Sequence, residues 1–253
     1  MLAFVPFGYF ATTRLNSVRD LGYLVVSSWL PAWWILVRQE GLTLAGAAQA
    51  FALGYLAFIC LYEIGYLIND AWDAARHRDG RERTPFPASP QFILPFVAVR
   101  LAGWAAIAAW AGWWQNTPWL VGQCALLAAL ALHNLVRSPS LRLSSFMQLA
   151  MLRFILPISA LLSLAGWLVT ALAAALLYVP LRYLAYADSK GLLAMPERRA
   201  RWFPAASMAL SVPLIALVAV AIGSDVLIEL WLWLLAAHGA WALLSPQPSG
   251  ANP

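Results

Sequence analysis

The apolar positions of this chain fall into long blocks separated by short polar breaks. Crossing about 30 Å of hydrocarbon takes about 20 helical residues, and stretches of that kind are expected at 21–37, 44–68, 91–114, 118–136, 147–165, 167–187, 204–222 and 225–244. The pattern predicts an all-α fold, a polytopic membrane bundle of about eight transmembrane helices. Its connections alternate in character. "RQEGLT", "QNTP", the break near Gly166 and "GSD" are short, whereas "NDAWDAARHRDGRERTPFPASP", "HNLVRSPSLRLSS" and "DSKGLLAMPERRARWFP" are long and basic. One face of the membrane therefore holds nearly all the polar chain, and a polar chamber is expected to open there. Only Arg38 of the Lys and Arg residues falls on the opposite side, so the positive-inside rule makes the long-loop face, and both termini, cytoplasmic. The expected location is a bacterial-type inner membrane, crossed several times.

Composition supports lipid as the solvent: of 253 residues, 62% are hydrophobic and 11% charged, more apolar surface than a soluble core of this size would bury. No linker or composition break divides residues 1–253, so a single integral membrane domain is expected, with an interfacial helix over 1–20 and a flexible tail over 245–253. The opening "MLAFVPFGYF" has no basic residue before it, and Arg14 and Arg19 follow it, the wrong order for a cleaved signal peptide. The net charge of +5 is carried by arginine, Lys190 being the single lysine, in short clusters between apolar blocks. That distribution suits phosphate groups and a membrane surface and argues against a nucleic-acid partner. Cys60 and Cys124 lie in separate apolar blocks without ligand-like spacing and read as core residues.

The charges cluster where helices end. Glu63, Asp70 and Asp73 recur on one stripe of a helix leaving the bilayer, with Asn69 beside them and His77 one turn further on. Glu63 lies about two turns inside the apolar block, where a carboxylate costs some kcal/mol, so it faces a watered cavity or a cation. Arg153, similarly placed in a later block, is its expected partner from the sequence. Aspartates three apart beside an Asn are hard oxygen donors of the kind Mg²⁺ takes together with waters and substrate phosphates. Arg76 and Arg83 follow them with forked donors suited to phosphate oxygens. The same charges would also suit a solvated helix end whose Asp and Arg pair among themselves. A second cluster, "LRYLAYADSKGLLAMPERRARWFP", brings Arg182, Tyr186, Asp188 and Lys190 to the same face, where the tyrosines also suit interfacial anchoring. Arg137 sits in the loop between the two. No G-x-S-x-G, Gly-rich phosphate loop or Cys/His arrangement appears, which leaves hydrolase, kinase and redox readings unsupported.

"NDAWDAARHRD", directly after the second apolar block, resembles the first aspartate-rich motif of the UbiA superfamily of intramembrane prenyltransferases, Asn-Asp-x-x-Asp-x-x-x-Asp. "RYLAYADSKG", after the sixth block, occupies the place of that family's second acidic motif. "LRYLAYADSKGLLAMPE" is similar in residue order to the branch of polyprenyl-phosphate phosphoribosyltransferases that make decaprenylphosphoryl-phosphoribose, and "YEIGYLIND" to small UbiA-like proteins of surface-polysaccharide synthesis. Two departures stand out. His77 replaces the third carboxylate of the first motif, and the second motif keeps one Asp.

The resemblance implies a UbiA-like bundle and a Mg²⁺-dependent transferase that moves phosphoribose from phosphoribosyl pyrophosphate to a polyprenyl phosphate for cell-surface glycan synthesis. Its partners would be a membrane lipid and a soluble diphosphate donor. Asp70, Asp73, Asn69 and Asp188 would hold metal, the three aspartates being the catalytic set. Arg76, His77, Arg83, Arg137, Arg153, Arg182, Tyr186 and Lys190 would meet phosphates, while Glu63 and Tyr66 shape the chamber. The alternatives are a prenyltransferase that passes an isoprenyl group from its diphosphate to an aromatic or other acceptor, and a non-catalytic lipid-phosphate carrier or scaffold.

Overall fold

A computed structural model of the chain describes residues 2–15, 17–76, 85–87 and 89–244, the side chains of 72–76 excepted. Every regular element among these residues is helical. A 3₁₀ turn at Leu2–Phe4 precedes α1 (Gly8–Arg14); α2 (Val18–Leu24) runs through a π turn at Val25–Trp29 into α3 (Leu30–Arg38); and α4 (Leu44–Arg76) follows. Then come α5 (Pro90–Trp110), α6 (Thr117–Leu135), α7 (Pro139–Ile155) and α8 (Leu164–Ala173). The last of these passes through a second π turn, Ala174–Tyr178, into α9 (Val179–Ser189). α10 (Phe203–Leu210), α11 (Val212–Ile222) and α12 (Asp225–Leu244) complete the bundle.

Local chemistry explains where these helices start. Proline occupies the first turn of α5, α6, α7, α10 and α11, where its missing N–H is no loss. Ser17, Asn116 and Ser163 cap α2, α6 and α8 by accepting from the N–H groups of Asp20, Trp119 and Gly166. The two π turns fall just before Pro31 and Pro180, residues that cannot donate to the preceding turn, so the ladder widens there.

Six of the eight expected spans are helices long and apolar enough to cross a membrane: Val18–Arg38, Leu44–Ala71, Pro90–Trp110, Thr117–Leu135, Leu164–Ser189 and Asp225–Leu244. A seventh forms if α10 and α11, bent by 48° at Ser211, count as one. The count of eight is not reached because α7 stops at Ile155, after 17 residues, and the chain turns through Pro157 into the 3₁₀ turn Ser159–Leu161. Large side chains such as Leu164, Leu210 and Val220 point outward, a burden in water that suits a lipid surround.

α4 packs against α3, α5 and α6. Its Gly54 lets the helix approach the carbonyl of Pro157, where a Cβ would stand 1.9 Å from the oxygen. Residues 2–14, expected along the interface, fold against α4 and α5. Their turn requires Phe7 at φ 73°, a left-handed conformation that strains a non-glycine residue. The Phe7 ring meets Phe10, Trp29 and Tyr55 at 5.4–6.1 Å between centroids, which holds the turn in place.

Candidate anion-binding site at one end of the bundle

Glu63 is the deepest carboxylate of the site face, fully buried, and its counter-ion is Arg100 of α5 at 2.6 Å rather than Arg153. The carboxylate also accepts the backbone N–H of Phe10 at 2.7 Å. Arg100 donates to the carbonyls of Ala3, Phe4 and Val5 at 2.6–2.8 Å. The pair therefore docks residues 2–10 and does not face a cavity. Arg100 does for these carbonyls what water would do outside the membrane, since unsatisfied backbone groups cannot persist in an apolar interior.

Two turns along α4, Asp70 is also engaged. Tyr9 donates its hydroxyl to Oδ2 at 2.7 Å, and Arg14 meets Oδ1 at 2.6 Å. Asp188, at the end of α9, accepts from Nε of Arg198 at 2.9 Å and ties α9 to the turn Pro196–Arg199. Asn69 is half-buried beside Asp70. The side chains of Asp73 and Arg76, and residues His77 and Arg83 altogether, lie outside the described residues.

What converges instead is positive charge. A cavity of about 450 Å³ is walled by Arg14, Arg19, Arg153 and Arg182, with Tyr23, Tyr66, Phe10, Trp241 and Asp20 between them. These residues come from α1, α2, α4, α7, α9 and α12, so six separate helices supply the wall. Each guanidinium lies on an aromatic face. Arg14 is 4.5 Å from the Tyr66 centroid, Arg19 4.9 Å from Trp241, Arg153 5.0 Å from Phe10 and Arg182 4.4 Å from Tyr178. Stacking occupies the flat face of a guanidinium and leaves its in-plane N–H donors for a ligand.

The four arginines are not equivalent. Arg14 is bound to Asp70, and Arg19 sits by Asp20 in the wall. Arg153 and Arg182 have no carboxylate partner among the described residues; the nearest polar contact of Arg153 is the Tyr66 hydroxyl at 3.4 Å. Thus Tyr66, Arg153 and Arg182 from the sequence reading meet at one cavity. Arg14 and Arg19 were missed as site residues, although their position ahead of the first span was a visible signal. The remaining candidates lie elsewhere. Tyr186 stacks on Phe146 at 4.1 Å, with Lys190 Nζ 5.7 Å from its ring centroid, and Arg137 is exposed in the loop before α7.

The described donors do not fit Mg²⁺. Asp70 and Asp188 are both taken up by protein cations, and no group of three His, Cys, Asp or Glu side chains converges among the described residues. Compared with protein-family models, curated proteins and solved structures, the chain matches none.

Proposed function

We propose that the chain is a membrane transferase of the UbiA type that seats the phosphate of a polyprenyl phosphate in the arginine cavity and joins it to phosphoribose from phosphoribosyl pyrophosphate. One observation carries the reading: four guanidinium groups share one cavity at a membrane-helix end, two of them without a carboxylate partner among the described residues. Its volume of about 450 Å³ lies within the range usual for small-molecule sites.

In the reaction an oxygen of the lipid phosphate attacks the anomeric carbon, the carbon–oxygen bond to pyrophosphate breaks, and pyrophosphate leaves with the electron pair. The attacking oxygen is already anionic, so no proton has to be removed. The barrier is then largely electrostatic. Two unit charges about 5 Å apart repel by about 3 kcal/mol at an effective dielectric near 20, and each phosphate group carries more than one charge. Fixed arginines lower that repulsion without reorganising during the reaction. Arg153 and Arg182 hold the acceptor, and Arg14 and the more exposed Arg19 meet the donor. The isoprenyl-transfer reading calls for an aromatic tunnel leading from the diphosphate. The aromatic row of α4, Phe51, Tyr55, Phe58 and Tyr62, is packed core instead.

The engagement of Asp70 and Asp188 favours one second reading, a lipid-phosphate carrier without catalysis. Protein reconstituted in vesicles with polyprenyl phosphate and radiolabelled phosphoribosyl pyrophosphate, with and without Mg²⁺, separates the two. Label in the lipid supports the transferase. Retained lipid without label supports the carrier, and turnover of an isoprenyl diphosphate in its place refutes both.

A further inference from the structure

Among the described residues, four guanidinium groups at the cavity face two carboxylates, Asp20 in the wall and Asp70 behind Arg14. Two positive charges remain, on Arg153 and Arg182, and these are the arginines without a carboxylate partner among the described residues. Both are half-buried and caged by rings, Arg153 by Phe10 and Tyr62, Arg182 by Tyr178 and Tyr23. A buried hydroxyl, that of Tyr178, has no hydrogen-bond partner among the described residues either, although it belongs to the ring on which Arg182 stacks. Uncompensated charge in an apolar surround is unfavourable until a counter-ion arrives, so the resident ligand has to bring about two negative charges.

Resting on the lipid-phosphate reading, we infer that Arg153 and Arg182 form a seat for a dianionic phosphomonoester headgroup and select it over phosphodiester lipids and over diphosphates. A phosphodiester brings one charge and leaves one guanidinium uncompensated. A fully ionised diphosphate monoester brings three charges, one more than the pair can neutralise, and it can gain Arg14 only by taking it from Asp70. A phosphomonoester matches the pair. Its second ionisation lies at about 6, a pH range in which a guanidinium does not change charge. Among the described residues, the other titratable and charged groups facing the seat are Arg14, Arg19, Asp20, Asp70, Tyr23, Tyr55, Tyr62, Tyr66 and Tyr178. The seat therefore senses the charge of its ligand, and affinity rises as pH climbs through about 6.

The test uses the full chain in detergent micelles and four probes: an isoprenyl monophosphate, its methyl phosphodiester, the diphosphate of the same chain, and inorganic phosphate as competitor. At pH 7.5 the monophosphate is expected to bind about tenfold or more tighter than the diester, the scale of one charged hydrogen bond, with most of that advantage lost at pH 5. Arg153→Gln and Arg182→Gln each remove the advantage, and Arg182→Lys restores part of it, with thermal unfolding recorded to confirm that each variant is folded. Equal binding of monoester and diester, a preference for the diphosphate, or a pH-independent ratio overturns the inference and leaves the lipid-phosphate reading standing. Displacement of the lipid by inorganic phosphate at equal concentration also overturns it, since the ligand is then a free anion. If no lipid phosphate binds at all, the reading beneath it fails as well.

Discussion

Replacing Arg100 with leucine removes the cation of a fully buried pair and three donors at once. Glu63 is left charged and without a counter-ion, and the carbonyls of Ala3, Phe4 and Val5 lose bonds of 2.6–2.8 Å. Truncating one side of a buried ion pair costs about 3–5 kcal/mol. Besides protonation of Glu63, which any buried unpaired carboxylate can undergo, the bundle can escape part of that loss by releasing residues 2–14 and letting water reach Glu63. Release of the segment, rather than global unfolding, is thus the expected outcome. Glu63→Gln keeps an acceptor for the Phe10 N–H and loses only the charge, so it should cost less. The double variant Glu63→Gln/Arg100→Leu strands no charge and should be more stable than the two single losses added, by a coupling of about 1–3 kcal/mol. Cysteine at buried Ala3, in a background lacking Cys60 and Cys124, reports release through its rate of maleimide labelling, while unfolding in mixed micelles reports global stability. If Ala3→Cys stays as protected with Arg100→Leu as without it, or if the two single losses simply add, the docking role of the pair is refuted.

Asp70→Ala should unseat both Tyr9 and Arg14, lowering stability by about 1.5–3 kcal/mol, the range for a charged hydrogen bond, and slowing transfer through loss of a fixed Arg14; an unchanged melting temperature contradicts this. Gly54→Ala brings a Cβ to 1.9 Å from the Pro157 oxygen and should destabilise by about 1–3 kcal/mol, as overpacking does; a neutral effect in thermal unfolding shows that the helices can part without cost. Arg38→Ala breaks the ion pair with Glu229 at the opposite end of the bundle, where both side chains are substantially exposed, and should change stability by less than about 1 kcal/mol and leave transfer unaffected. A large loss of transfer in that variant would refute the assignment of the site to the other end.

Hydropathy blocks made the helices legible, because the length and apolarity of a span are local properties of sequence. They did not show that α7 ends at Ile155, since the residues after it are as apolar as a helix and turn only because of Pro157. Glu63 was legible as a buried charge for the same reason that its partner was not. Apolar spacing gives depth in the bilayer and says nothing of which helices are neighbours, so the sequence pointed to Arg153 and passed over Arg100. Asp70 illustrates the second limit. Its spacing from Asn69 and Asp73 fits metal binding, but whether Tyr9 and Arg14 reach it depends on the path of a segment sixty residues away. For Arg14 and Arg19 the positive-inside pattern gave a complete local explanation, which hid their second role in the cavity wall.

The bonds from Arg100 span 95–97 positions of the chain. Residues 3–5 leave the ribosome long before α5 exists, and until that helix enters the bilayer their carbonyls have no donor of this kind to settle on. Closure of the leading segment is therefore a late event in assembly, a long-range contact that cannot form helix by helix in the order of synthesis. Because the same segment carries Phe10 and Arg14 into the cavity wall, the arginine cavity is complete only after α5 is inserted, which separates insertion in the membrane from closure of the cavity.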